Sequence, residues 1–117
     1  MSEDLDRNFA RIVKLAEAAG LPDVSVGTSY GTPALLVKDK SFARMKDDET
    51  LVVMCALEEK EMLLELDPRL YFETDHYKGW PAMLVRLSEI DDGSLTGRLI
   101  AAWREKAPKR LSASFGS

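Results

Sequence analysis

Apolar residues recur at helical spacing in the first part of the chain. Most lie three or four positions apart, which places them on one face of a helix: Leu5, Phe9, Ile12, Val13 and Ala16. Gly20 and Pro22 follow, and glycine suits the position after a helix whereas proline cannot continue one. The pattern predicts a first helix that ends just before Gly20.

Short apolar runs separated by turn residues come next. The runs cover four ranges: 24–30, 34–37, 42–46 and 51–55. The residues between them are rich in Gly, Pro, Asp and Lys, which favour turns of hairpin length. Residues 24–55 are therefore predicted to form an antiparallel meander of four strands.

Residues 57–66 are predicted to form a second helix, with glutamates in its first turn that suit the helix dipole. Its charged positions, Lys60 among them, are expected to face water. Its apolar positions are expected to be buried, namely Leu57, Met62, Leu63 and Leu66.

Two more strands and a third helix complete the pattern. The strands are predicted near residues 71–74 and 83–87, joined by a loop over residues 75–81. The helix follows the N-cap residues of segment 91–94 and ends at Pro108. Its expected apolar face is Leu95, Leu99, Ala102 and Trp103, and Trp103 should share a core with Phe9.

The predicted order is α-β-β-β-β-α-β-β-α. Hairpin-length links between strands favour an antiparallel sheet, and the separate helices favour an α+β fold with helices on one face. The 117 residues suffice for one hydrophobic core, so residues 1–117 are predicted to form a single domain. Its core is expected over residues 5–111, with a loose tail from 112 to 117.

Composition is that of an ordinary globular protein, with 45% apolar and 31% charged residues. No apolar run is long enough to span a bilayer. The first residues are acidic where a signal peptide would be basic and then apolar, and the single cysteine, Cys55, cannot form an internal disulfide. These features predict a cytoplasmic protein without a membrane partner.

The net charge of −4 is unevenly distributed along the chain. Residues 96–117 carry five basic residues against one acidic residue, while the remainder is acidic. The mean field of the protein repels phosphate, so any binding of nucleic acid would depend on a local basic surface.

Two segments with glycine, proline and aromatic residues each lead into an apolar strand. They are Gly27-Thr-Ser-Tyr-Gly-Thr-Pro33 and Asp75-His-Tyr-Lys-Gly-Trp-Pro81. With the hairpin that ends F-A-R-M and the later W-R-x-x-A-P-K-R-L, they resemble the MmcQ/YjbR-like family over residues 5–111. The resemblance implies a compact α+β fold called CyaY-like, or double-wing, and the DNA-binding function usually attached to the family. It implies no catalytic residues.

Signals for catalysis or cofactors are weak. Phosphate-binding motifs of the forms GxxxxGK[ST] and GxGxxG are missing from the sequence. His76 is the only histidine, and Cys55 lies at the end of an apolar strand, so neither a Cys–His pair nor a zinc site is expected. We therefore predict a non-enzymatic binding protein without a cofactor or metal.

The leading hypothesis from these residues is weak DNA binding. Residues of one parity share a face of a strand, so basic side chains are expected around Phe42 on the open side of the sheet. The residues concerned are Lys38, Arg44, Lys46 and Arg86, with a second group, Arg104, Lys106, Lys109 and Arg110, near the end of the third helix. The competing interpretation is that these are ordinary solvated positions.

The alternative hypothesis is a pocket for a small ligand or a protein partner between the two loop segments. One wall would present the hydroxyls of Ser29, Tyr30 and Thr32, and the other would be formed by His76, Tyr77, Lys78 and Trp80. The competing interpretation of Gly27 and Gly31 is a plain turn that needs positive φ. A continuous basic surface would favour DNA, whereas a cleft lined by Tyr30, His76 and Trp80 would favour a small ligand. The oligomeric state is left open.

Overall fold

The computed structural model describes residues 3–115 as a six-stranded antiparallel sheet with four α-helices. The helices are α1 (Glu3–Ala19), α2 (Leu57–Leu66), α3 (Asp92–Lys106) and α4 (Lys109–Ser114). The strands are β1 (Val24–Ser29), β2 (Thr32–Val37), β3 (Lys40–Met45), β4 (Thr50–Met54), β5 (Tyr71–Phe72) and β6 (Ala82–Arg86). None of the helices in this part of the chain is long and apolar enough to cross a membrane.

The strand order across the sheet is β1-β2-β3-β4-β6-β5, and every neighbouring pair is antiparallel. The predicted α+β class and the four-stranded meander are confirmed. A short 3₁₀ turn over Asp75–Tyr77 lies inside the predicted loop between the last two strands.

One face of the sheet, here called the inner face, is covered by α1 and α3. Its strand residues are almost wholly excluded from water, as Leu35, Val53 and Val85 illustrate. Trp103 of α3 is fully buried in the same core, and its indole N–H donates to the Pro22 carbonyl at 3.0 Å. Phe9 packs against this core, as predicted.

A β-bulge in β3 moves Phe42 to the inner face. Leu35 pairs with Ala43 but Leu36 pairs with Ser41, so Phe42 is the extra residue between them. Phe42 is only 1% exposed and joins the inner core together with its neighbour Ala43. The prediction that Phe42 lies among basic residues on the open face is therefore wrong, because the bulge breaks the alternation.

The two glycines of the first loop have different roles. Tyr30 and Gly31 form the two-residue turn between β1 and β2, with φ of 52° and 79°. Gly27 has no positive φ and instead pairs with Ala34 inside the sheet. An added Cβ at Gly27 would lie 2.9 Å from the Leu36 Cδ1, so the absence of a side chain at Gly27 leaves space for the Leu36 side chain. The turn interpretation holds for Gly31 alone.

Helix α2 is oriented differently from the prediction. Leu57, Met62 and Leu66 are 45%, 51% and 72% exposed, although all three were expected to be buried. Lys60, which was expected to face water, is 2% exposed. Since the stems of long cationic side chains pack well on apolar surface, burial of Lys60 needs only polar partners for its ammonium group, and the structure supplies them.

The expected loose tail is also replaced by structure. Residues Lys109–Ser114 form α4, and the Phe115 ring lies 5.3 Å from the Trp103 ring. Arg104 donates to the carbonyls of Ser112 at 3.1 Å and Phe115 at 3.2 Å, which holds the segment against α3. Residues 116–117 of the expected tail lie outside the described residues.

Candidate functional site

The opposite face of the sheet, here called the outer face, carries a small apolar cluster of its own. Val52, Ala82 and Leu84 are buried there, on strands β4 and β6. The side chains of Met54, Phe72 and Tyr77 pack against them. Tyr77 comes from the loop of residues 75–81, so this loop covers part of a face that would otherwise be open.

Lys60 holds that loop in place. Its Nζ donates to the carbonyl of Tyr77 at 2.8 Å and to the carbonyl of Trp80 at 2.9 Å. The same ammonium forms an ion pair with Glu73 Oε1 at 2.7 Å. Three acceptors satisfy the three N–H bonds of the buried ammonium. The loop is thereby fixed at both ends of its Tyr77-to-Trp80 segment.

Arg44 of β3 connects this loop to the turn between β1 and β2. Its guanidinium donates to the Tyr77 hydroxyl and reaches Thr32 Oγ1 at 3.5 Å, the outer limit of a hydrogen bond. It also lies 5.1 Å from the centre of the Tyr30 ring, within range of a cation–π contact. Thr32 in turn donates to the Ser29 carbonyl at 3.0 Å, which orders the turn.

Between the loop and the turn lies a cavity of about 400 Å³. Its lining comes from five separate parts of the chain: Ser29, Tyr30, Ser41, Phe42, Ala43, Arg44, Val52, Met54, His76, Tyr77, Trp80, Pro81, Ala82 and Lys106. This outer-face pocket has an apolar floor and a polar rim. Tyr30 and Trp80 stand at the rim, 90% and 64% exposed.

The structure brings five of the seven residues of the pocket hypothesis into this lining: Ser29, Tyr30, His76, Tyr77 and Trp80. Thr32 is not in the lining and contacts it through its hydrogen bonds with Ser29 and Arg44. Lys78 is exposed and does not line the pocket. The binding role of these residues stays a prediction.

The charge of the lining has a single sign. Arg44 and Lys106 contribute cations, and no aspartate or glutamate lines the pocket. Both cations are partly buried, and among residues 3–115 no carboxylate lies within 4.0 Å of either. A partly desolvated cation without a counter-ion favours an incoming anion.

The basic residues of the DNA hypothesis do not form one surface on the sheet. Arg44 and Arg86 share the outer face, but Arg86 stacks 4.0 Å over the Phe72 ring and points at the carbonyls of Pro68 and Arg69. Lys38 lies in the turn after β2, where it pairs with Asp23 at 3.2 Å. Its predicted place on the same face as Arg44 is therefore wrong, because its φ of 50° takes it out of the strand alternation.

Lys46 is exposed just after β3, beside the acidic residues 47–49. The four basic residues near the C-terminus do not form one surface either. Arg104 is committed to α4, Lys106 lines the pocket, and Lys109 and Arg110 are exposed on α4 itself. A continuous basic surface over all eight predicted residues does not form.

Cys55 and His76 have unlike surroundings. Cys55 belongs to the inner core, where burial and then the nearby Glu59 raise the pKa of its thiol. His76 is exposed at the pocket rim, with its ring edge-on to Tyr77 at 5.3 Å. Residues 3–115 contain no group of three or more His, Cys, Asp or Glu side chains placed to hold a metal ion.

Sequence reasoning missed Lys60 as a residue of this site. Three glutamates surround it in the sequence, which made it look like a solvated position. The spacing of residues along the helix could have indicated its burial. Lys60 lies three and four positions before Leu63 and Leu64, the helix residues that pack against the core. Those positions share one face, so a lysine there faces the protein.

Comparison with known sequences gives a family but no activity. The sequence profile of the family described as YjbR matches residues 19–105. Three mycobacterial proteins are 43% identical to this chain over 56 residues. They are Uncharacterized protein Mb2600 of Mycobacterium bovis and Uncharacterized proteins MT2646 and Rv2570 of Mycobacterium tuberculosis.

The aligned part is 48% of this chain and spans only 43% of the length of those relatives. No solved structure matches the chain. The name CyaY-like for the fold therefore stays a prediction.

Proposed function

This chain belongs to the YjbR family, and we propose that it is a non-enzymatic binding protein whose outer-face pocket takes a small ligand. The observation that carries the proposal is the cavity of about 400 Å³ between two loops that are far apart in sequence. Ligand pockets in proteins commonly enclose about 300–1,000 Å³, with mostly apolar walls and a few polar groups. The outer-face pocket has both properties.

The way the loops are held adds support. Lys60 anchors the loop of residues 75–81 from beneath, and Arg44 joins that loop to the turn at Tyr30. Both walls are thus ordered by contacts within the protein. A preformed pocket binds with less loss of conformational entropy than one that must close around its ligand.

A fragment screen followed by nuclear magnetic resonance tests the proposal. We expect small aromatic and aliphatic fragments to shift the signals of Tyr30, Tyr77 and Ala82 more than those of the inner core. The variant Ala82→Met, which fills the pocket floor, should weaken binding, whereas Ser25→Met at an exposed position of β1 should not. Fragments that bind nowhere, or only outside the pocket, would refute the proposal.

Single-stranded nucleic acid is a second candidate, favoured by one observation. Two exposed aromatic rings, Tyr30 and Trp80, line the pocket together with Arg44, whose guanidinium lies 5.1 Å from the Tyr30 ring. Bases stack on such rings while cations contact the phosphates, and each neutralised phosphate contributes about −0.7 to the log–log salt slope for single strands.

An anisotropy titration of a labelled oligonucleotide at low salt tests this candidate. Loss of binding in Tyr30→Ala and Trp80→Ala would place the strand at the pocket. Loss in Lys109→Gln with Arg110→Gln would place it at α4 instead, as the charge balance of the sequence suggested. Binding that none of these variants changes, or no binding at low salt, would remove nucleic acid as a candidate.

We also propose a cytoplasmic location. Its support is the single buried thiol, Cys55, which gives the chain no internal disulfide to form in an oxidising compartment.

A further inference from the structure

We infer that the outer-face pocket takes a small organic anion, whose acid group binds the Arg44 guanidinium and whose apolar part lies on the pocket floor. The inference rests on the proposed function, since it names the chemical class of ligand for the same pocket. It starts from the sign of the charges that face the cavity.

The cationic lining contrasts with the rest of the protein. The chain has 20 acidic and 16 basic residues, yet the pocket is lined by Arg44 and Lys106 and by no carboxylate. Several basic residues elsewhere pair with carboxylates, as Lys38 does with Asp23 and Arg7 with Asp4, whereas Arg44 and Lys106 form no such ion pair within residues 3–115. A cationic pocket in an acidic protein selects for anions locally while the overall field repels polyanions.

The contacts of Arg44 leave most of its donors available. A guanidinium carries five N–H groups, and within residues 3–115 Arg44 makes hydrogen bonds only to Tyr77 and Thr32. Both partners are neutral hydroxyls, so its charge is uncompensated. A planar carboxylate or phosphate group can accept two parallel N–H bonds from such a fork.

The orientation of Arg44 is set before any ligand arrives. The Tyr30 ring lies along one side at 5.1 Å, and the hydrogen bond to Tyr77 fixes one end of the guanidinium. Less side-chain freedom is then lost when an anion binds. Lysine would not substitute, because its ammonium has no planar pair of donors.

The floor defines the other part of the ligand. Val52, Met54 and Ala82 present apolar surface, and the Tyr77 ring stands beside them. This surface suits an aromatic ring or a short hydrocarbon chain and offers little to a sugar or an inorganic ion. The ligand class is therefore an acid with an apolar body.

Four probes with the same phenyl body test the inference: phenylacetate, phenylacetamide, phenethylamine and benzyl phosphate. The acid should bind at least about tenfold more tightly than the amide, since charge-assisted hydrogen bonds are stronger than neutral ones. The amine should bind most weakly. Affinities are measured by calorimetry or from shifts of pocket signals at low salt, and benzyl phosphate shows whether the site prefers a phosphate or a carboxylate.

Arg86 gives a matched control for Arg44, because it lies on the same face, also stacks on an aromatic ring, and does not line the pocket. Arg44→Gln should remove the preference of acid over amide, and Arg86→Gln should leave it intact. Arg44→Lys keeps the charge and should retain part of the preference, but the acid should bind less tightly because the ammonium has no planar pair of donors. Thermal melts of the variants establish that each is folded. The ratio of acid to amide affinity in the unsubstituted protein tests the inference even if a variant fails to fold.

The outcomes separate the two proposals. Amide or amine binding in the pocket as tightly as the acid would overturn the anion inference and leave the small-ligand function standing. A preference for acid that survives Arg44→Gln would also overturn the inference. If no probe of any charge shifts the pocket signals, both the inference and the proposed function fail.

Discussion

The inner and outer faces of the sheet are stabilised in different ways. The inner face is covered by α1 and α3, and its core consists mainly of aliphatic side chains together with the buried Trp103. The outer face has a small apolar cluster closed by one loop, which Lys60 and Arg44 hold through a few polar contacts. Apolar burial is spread over many contacts, whereas the outer face depends on a few directional ones.

The two tryptophans show what this difference means for function. Trp103 is wholly buried on the inner face, and Trp80 is 64% exposed at the pocket rim. The inner face supplies stability, and its strand residues are covered by helices. The outer face leaves a cavity and exposed aromatic surface, which are the features a binding site needs.

The largest expected effect is at Trp103. Trp103→Ala should lower the free energy of unfolding by about 3–5 kcal/mol, because it removes a buried ring and leaves a cavity. Trp80→Ala should change it by about 0.5 kcal/mol or less, as is usual for exposed positions. Denaturant titration followed by circular dichroism measures both. A loss below about 1 kcal/mol for Trp103→Ala would mean that α3 does not dock as described.

A smaller effect, confined to the outer face, is expected at Lys60. Lys60→Met keeps the apolar stem but leaves the carbonyls of Tyr77 and Trp80, and the Glu73 carboxylate, without their donor, at a cost of about 2–3 kcal/mol. Hydrogen exchange of residues 75–81 should increase, while exchange in α1 and α3 stays slow. Lys40→Met, at an exposed position, is the matched control.

Equal loosening of both faces in Lys60→Met would contradict this division. It would show that Lys60 supports the whole domain and not one loop.

The smallest effect concerns the turn at the pocket rim. Gly31→Val should cost about 1–2 kcal/mol, because a β-branched residue is strained at a φ of 79°. Gly31→Asn should cost much less, since asparagine tolerates this conformation. Thermal melts of the two variants compare them.

Gly27 extends the same test. Its backbone is extended, and an added Cβ would meet only the flexible end of Leu36 at 2.9 Å. Gly27→Ala should therefore cost less than Gly31→Val. The reverse order would show that close packing, and not backbone strain, makes this hairpin depend on glycine.

Much of the inner face follows from local patterns. The helical spacing in α1, the apolar runs of β2 to β4 with the turns between them, and the caps around α3 are each read from neighbouring residues. Asp91 illustrates this, since its side chain accepts from the Ser94 N–H as an N-cap, and hydrogen bonding to the Ser94 side chain and then to its N–H lowers the pKa of the Asp91 carboxyl. Such patterns are visible because burial against a large apolar surface repeats at a fixed period.

The predictions that were wrong concern single residues whose environment does not follow the hydrophobic periodicity of their helix or strand. Phe42 was assigned to the outer face, and the bulge turned it inward. Lys60 was assigned to solvent, and distant carbonyls buried it. Lys38 was expected on the open face with Arg44, but it lies in the turn after β2 with a φ of 50° and pairs with Asp23. The burial of Lys60 depends on carbonyls 17 and 20 residues away in the sequence, which no local pattern contains.

The sequence by itself determined the class of fold, the order of its elements and two aromatic loop segments, because these depend on periodicity and turn chemistry. Only the tertiary structure decided that the loops face each other across a cavity, since the antiparallel order of the sheet sets which strand ends meet. It also placed Arg44 and Lys106 at that cavity without a carboxylate. Charges along a chain do not show which of them become neighbours, and the electrostatics of a site depend on those neighbours.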